Sequence, residues 1–117
     1  MNNKEFAREM EQRTLQFAVR IIRLSTRLPN IAEGRVVKNQ MTRSGTSMGA
    51  NYREANRARS RADFKNRIAI CETEASETHY WLEVIKEIGW ISWEELESDH
   101  SECSELLAIF TSIGKAR

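Results

Sequence analysis

The chain has 117 residues, enough for one domain that buries roughly 70% of the surface its unfolded form exposes, so neither a disulfide nor a metal is needed to hold it together. Charged residues make up 30% and hydrophobic ones 40%, with a single proline and five glycines, which excludes the turn-rich usage of a β-sandwich and points to an all-α chain. The net charge is only +1, no stretch approaches the roughly 18 apolar residues of a membrane span, and the start, with Lys4, Glu5, Arg8 and Glu9, lacks the apolar run of a signal peptide, so a cytoplasmic protein is expected.

The first helix is expected over about residues 3–28, because Phe6, Met10, Phe17, Ile21, Leu24 and Leu28 recur at three- and four-residue steps before Pro29 stops it. Asn30 and Glu33 have the spacing of a capping box, which opens a second helix over about 31–57. Its apolar stripe is Val37, Met41, Met48, Tyr52 and Ala55. Gly45 and Gly49 interrupt that helix at about 1 kcal/mol each relative to alanine, so something must compensate. The run Ser44, Gly45, Ser47, Gly49, Ala50 leaves little side chain, which suits close approach of another backbone, within the chain or from a second subunit.

Only Ser60, with Asp63 three residues on, marks the start of a third helix over about 61–88. Its seam is Phe64, Ile68, Cys71, Ala75, Thr78, Leu82 and Ile85, a four-three alternation that suits bundle packing, and Gly89 supplies the stop. Ser92 and Glu95 form another capping box, opening a fourth helix over about 93–113 along Trp93, Leu96, His100, Cys103, Leu107 and Phe110. Short connections make sequential helices antiparallel neighbours, so the whole of 1–117 reads as one all-α, up-down-up-down four-helix bundle.

Charge is distributed unevenly along the chain. Residues 1–32 carry six basic and three acidic side chains, residues 33–67 nine and three, and residues 72–105 one and eleven. The densest basic group, Arg53, Arg57, Arg59, Arg61 and Lys65, followed by Arg67, surrounds the junction of the second and third helices. Two readings are open. Such a group binds RNA or DNA through phosphate contacts, with steep salt dependence and little sequence preference. Alternatively the arginines meet the acidic residues of the last two helices, within the bundle or across a subunit boundary, and serve only self-assembly and a protein partner. A head-to-tail ring accommodates both, because it sets a basic surface against an acidic one and leaves a basic rim.

No catalytic set emerges. Cys71 and Cys103 fall on core seams in the acidic half, where a reduced thiol behaves as a small hydrophobe and a thiolate is disfavoured. No phosphate-binding glycine loop, paired-cysteine motif or nucleophile elbow is present, so no cofactor is expected. Glu97 and His100 have the spacing of one di-iron pair, but the other histidine, His79, has Ser76 three residues before it, so no metal is expected. Asn51 lies one turn beyond Ser47 and reads as part of a polar network that sets helix register. Trp90 and Trp93 flank the last connection and are expected to cover the core's end, whereas Trp81 lies beside the Leu82 seam, where a neighbouring subunit would meet it.

The stretches GRVVKNQM (Gly34 to Met41), RSGTSMGANYREA (Arg43 to Ala55), NRARSRADF (Asn56 to Phe64) and ETEASETHYWLEVIKEIGWI (Glu72 to Ile91) resemble the bacterial four-helix bundle family, also called the 23S rRNA intervening-sequence protein family. The resemblance implies a left-handed four-helix bundle that assembles as a homopentamer and has no enzymatic activity. By their small side chains or their place beside a seam, Ser44, Gly45, Ser47, Gly49, Asn51 and Trp81 are candidates for the oligomer interface or for close packing.

Overall fold

The computed structural model describes residues 2–116. Four helices account for nearly all of them: α1 (Asn3–Ser25), α2 (Ala32–Asn56), α3 (Arg61–Ile88) and α4 (Trp93–Lys115). Among the described residues there are no strands. α1 packs on α2, α2 on α3, α3 on α4, and α1 closes the bundle against α4 along the thinnest of the four seams. Each neighbouring pair runs in opposite directions. Gly49 lies against Thr14 and Gly45 against Ile21 across α1 and α2, Met48 pairs with Cys71 and Ser44 with Thr78 across α2 and α3, and Ala75 pairs with Cys103 across α3 and α4.

The second and third stripes form the core as their periodicity requires. Val37, Met41, Met48, Tyr52 and Ala55 are buried from α2, and Ile68, Cys71, Ala75, Thr78, Leu82 and Ile85 from α3, with Phe64 half-buried at the end. In α1 the buried face is Met10, Thr14, Phe17, Ile21 and Leu24, while Phe6 remains 38% exposed. Thr14 fills a turn left unassigned by the apolar pattern because its hydroxyl donates to the Met10 and Glu11 carbonyls, so its polarity is satisfied inside the helix. On α4 the buried set is Leu96, Cys103, Leu106 and Phe110. Leu106 replaces the expected Leu107, which is half-buried; two adjacent leucines give the pattern no means of choosing between them.

Helix ends depart from expectation at three places. α1 stops at Ser25 rather than Leu28, because the residue before Pro29 is pushed away from helical dihedrals and the chain leaves through tighter turns, Arg27 N–H to the Leu24 carbonyl and Leu28 N–H to the Ser25 carbonyl. Leu28 is nevertheless buried, as a plug on the bundle end. Asn30 does not cap α2: the N-cap is Ile31, without a side-chain bond, and the Asn30 amide oxygen accepts from Arg35 instead. Here the turn folds back so tightly that a Cβ on Gly34 would lie 1.9 Å from the Pro29 carbonyl oxygen, which only glycine avoids. At α4, Ser92 occupies the N-cap position, but its hydroxyl points to the Glu95 carboxylate at 3.4 Å rather than to a backbone amide. Ser60 caps α3 as the sequence indicates, accepting from the Asp63 amide at 3.0 Å.

The costly glycines of α2 are repaid against α1. A Cβ on Gly45 would come within 2.7 Å of Ile21 Cγ2, and one on Gly49 within 3.0 Å of Thr14 Oγ1, so the two backbones approach as closely as the missing side chains allow. Ser44 turns to the other side, where Thr78 donates to its hydroxyl at 2.8 Å in the middle of the core. Ser44 and Gly45 are therefore spent on packing inside the chain.

Candidate nucleic-acid interface

The excess of acid in α4 is met chiefly by α1. Arg13 makes a forked pair with Glu102, at 2.6 and 2.7 Å, and reaches Glu105 at 3.2 Å; Arg20 binds Asp99 at 2.6 Å and Ser98 at 2.9 Å; Arg27 binds Glu95 at 2.9 Å. The three arginines are spaced seven residues apart, Arg13 and Arg20 on α1 and Arg27 in the turn after it, and their partners descend α4 in step. Hydrogen bonds to Glu102 raise the already high pKa of Arg13, and the Arg27 bond holds the Glu95 carboxyl below its ordinary range. On the opposite seam Arg43 bridges Glu74 and Glu77 of α3, at 3.3 and 2.6 Å. Glu74 is buried, a position that seam periodicity alone did not assign.

The basic group at the α2–α3 junction is treated differently. Arg53 shares Glu11 with Asn56, at 3.7 and 2.9 Å. Arg57, Arg59, Arg61 and Lys65 are exposed and form no ion pair among the described residues. Arg57 closes α2, Arg59 lies in the connection, and Arg61 and Lys65 sit one turn apart at the start of α3. Two helix N-termini and two C-termini meet at this end, so the helix dipoles largely cancel and the positive field comes from side chains. Arg67 faces inward instead, donating to Asn51 at 3.1 Å, while the Asn51 amide donates to the Ser47 hydroxyl and carbonyl. Asn51 and Ser47 thus form an interhelix polar network.

Beside the free cations lies a cavity of about 440 Å³, walled by Phe6, Tyr52, Phe64 and Ile113 and bordered by Arg61 and Lys65. Aromatic side chains next to cations are what single-stranded bases stack on and phosphates seek. Sequence reasoning missed this aromatic floor, since Phe6 and Phe64 belong to helices remote in the chain. A second depression, of about 400 Å³, runs between α1 and α2 along Leu15, Ala18, Thr46, Gly49, Ala50 and Arg53. The Thr42 hydroxyl, one turn before Thr46, is buried without a hydrogen-bond partner.

The remaining candidates have other placements. Trp81 is half-buried against the core and meets Tyr80 edge-on at 5.1 Å, and Trp90 covers the core end. Trp93 does not: it is 37% exposed, with the Lys86 ammonium 4.6 Å over its ring and its edge toward His100. Cys71 and Cys103 are buried, donate to the Met48 and Ala75 carbonyls, and are pushed by burial up to about 12. Thiols held neutral in this way are not nucleophiles at physiological pH. His79 and His100, assigned to different helices and treated apart in the sequence, stack with ring centroids 4.1 Å apart, with Glu83 beside them. Among the described residues no helix is long and apolar enough to cross a membrane.

Comparison with known proteins agrees with this architecture. The model of the 23S rRNA-intervening sequence protein family matches residues 7–112. A solved structure of a protein of unknown function from the S23 ribosomal protein family of Bacteroides thetaiotaomicron VPI-5482 is 43% identical, with a TM-score of 0.84, covering 91% of this chain and 98% of that one. No curated protein matches.

Proposed function

The chain belongs to the 23S rRNA-intervening sequence protein family, and from that premise we propose that it is a non-enzymatic, self-assembling scaffold whose basic end binds RNA or DNA. The arginines meet two fates, and the difference carries the proposal. Arg13, Arg20 and Arg27 are taken up by α4, whereas Arg57, Arg59, Arg61 and Lys65 stand exposed, grouped at one end beside an aromatic cavity, without ion pairs among the described residues. Four exposed cations grouped at one end attract a polyanion or an acidic surface. Phosphate supplies that charge, and Phe6 and Phe64 offer an unpaired base a surface to stack on.

Self-assembly, as the homopentamer that the family resemblance implies, is supported by the depression between α1 and α2. Its wall of Ala18, Thr46, Gly49 and Ala50 is small-residued, and Leu15 is exposed on its border. A second reading keeps the same cations for assembly, favoured by the acidic outer surface of α4 around Glu94 and Glu97, which a neighbouring subunit's basic end would fit. In a cytoplasmic setting either partner is at hand.

Fluorescence anisotropy of labelled RNA and duplex DNA at about 50 and 200 mM salt separates the two. Four phosphate contacts give a salt slope near −2.8 on single strands and −3.6 on duplex, so this fourfold change in salt weakens binding by about 50-fold and 150-fold respectively. The Arg57→Glu, Arg61→Glu double variant is expected to abolish binding with the oligomer intact by light scattering. No binding at low salt refutes the nucleic-acid reading, and a variant that dissolves the oligomer assigns these arginines to the subunit interface.

A further inference from the structure

His79 and Glu83 lie one turn apart on α3, and His100 faces them from α4. The His100 Nε2 is 3.3 Å from Glu83 Oε2, His79 Nδ1 is 4.0 Å from the same oxygen, and one donor atom from each of the three residues lies within 4.8 Å of the others. We propose that His79, Glu83 and His100 form a binding site for one divalent transition-metal ion, zinc above all, on the α3–α4 seam.

The donor geometry is close to what the ion requires. Zinc bonds of about 2.0–2.1 Å in a tetrahedron place its donors roughly 3.4 Å apart. His100 and Glu83 already have that separation, His79 and Glu83 close by about 0.6 Å through the half-exposed Glu83 side chain, and the two imidazoles need at most about 1.4 Å, supplied by rotation of their rings. The backbones that carry the donors are helices packed along a full seam, so the site is set by the fold and only side-chain rotation remains. Two imidazoles and one carboxylate suit zinc, cobalt, nickel or copper and are a poor set for calcium or magnesium, which take oxygen. Because Glu83 faces solvent, water completes the fourth position.

The surroundings hold the ligands in the right form. His79 Nε2 lies 3.0 Å from the Ser104 hydroxyl, so a proton on Nε2 donated to Ser104 leaves Nδ1 free to bind metal. Trp93 packs edge-on to His100 at 5.1 Å and holds the Lys86 ammonium over its own ring. His79 is 18 residues from Arg61 along α3, about 27 Å at 1.5 Å per residue, so metal and nucleic acid would bind separately.

Titration calorimetry with zinc chloride on tag-free, EDTA-stripped protein tests the site. One ion per chain is expected, with affinity lowered more than about tenfold in His79→Gln and in His100→Gln, the loss that even outer partners of a metal ligand produce. Glu97→Gln, which removes an exposed carboxylate one turn before His100 on α4, is expected to leave the affinity unchanged. If a histidine variant loses its helical circular dichroism, Glu83→Gln at an exposed position carries the test and is expected to weaken binding. Absence of zinc binding up to about 1 mM, well above the concentrations at which three-ligand sites fill, overturns the proposal. So does binding that survives these substitutions, since it would come from surface carboxylates.

Discussion

Replacing Arg13 by alanine removes both hydrogen bonds and the counter-charge from Glu102, whose side chain is only 16% exposed. Fully exposed pairs contribute about 0.2–1 kcal/mol, and breaking a fully buried one costs about 3–5 kcal/mol because a charge is left without a partner. Arg13 is itself about one-third exposed, so water replaces part of what is lost and the cost should fall between these limits, near 1.5–2.5 kcal/mol. For a domain of this size that lowers Tm by about 5–10 °C. Urea unfolding at fixed protein concentration, with Arg13→Ala, Glu102→Gln and the double variant, isolates the pair. A coupling energy of at least about 1 kcal/mol is expected. Glu105 remains in the double variant and has lost the same arginine, so the cycle reports the forked contact with Glu102. Additive effects within about 0.3 kcal/mol would refute the argument that this pair holds α1 to α4.

Gly34→Ala is expected to destabilise by about 1–3 kcal/mol despite a helix-propensity gain near 1 kcal/mol, because the new methyl overlaps the Pro29 carbonyl; unchanged urea midpoints would contradict it. Cys71 and Cys103 are expected to resist a thiol reagent at pH 8 in the native chain and to react as two equivalents in denaturant. The sign of their pH dependence follows from burial, which raises both thiols to about 12. The unfolded chain loses its thiol protons first, so stability is full below pH 9 and declines as pH rises from there toward 12. Rapid native labelling at pH 8 would show that these thiols are not enclosed.

Sequence alone discloses the elements whose periodicity is strict. The seams of α2 and α3 read directly because, Glu74 apart, their buried positions carry apolar or small residues at regular three- and four-residue steps. α4 reads less well, since Leu106 and Leu107 offer the same hydrophobicity on adjacent faces and Trp93 looks apolar while its ring is shared by Lys86 and His100. The α2 cap fails for a different reason: Asn30 has cap chemistry, but the Pro29 turn sends it outward to Arg35. The basic cluster is plain in sequence, whereas its want of acidic partners is not, because that depends on which arginines α4 accepts. The seven-residue spacing of Arg13, Arg20 and Arg27 was the available signal for that choice. No spacing rule joins His79 to His100 across two helices, or Phe6 to Phe64, so the histidine–glutamate cluster and the aromatic cavity needed three dimensions.

Three of the four seams join helices adjacent in sequence, and only the α1–α4 seam brings the two ends of the chain together. That seam is the thinnest, and its arginine ladder is partly open to water. Ions shorten the reach of such contacts to about 8–10 Å at physiological strength and leave apolar packing almost untouched. Ionic strength therefore acts on this molecule as a buckle tension: it loosens the closure between first and last helix while the α2–α3 hairpin, which carries the basic end, stays shut. Salt that detaches a polyanion from that end also slackens the α1–α4 seam, and because Phe6 of α1 and Ile113 of α4 wall the cavity beside Arg61 and Lys65, occupancy and closure shift together.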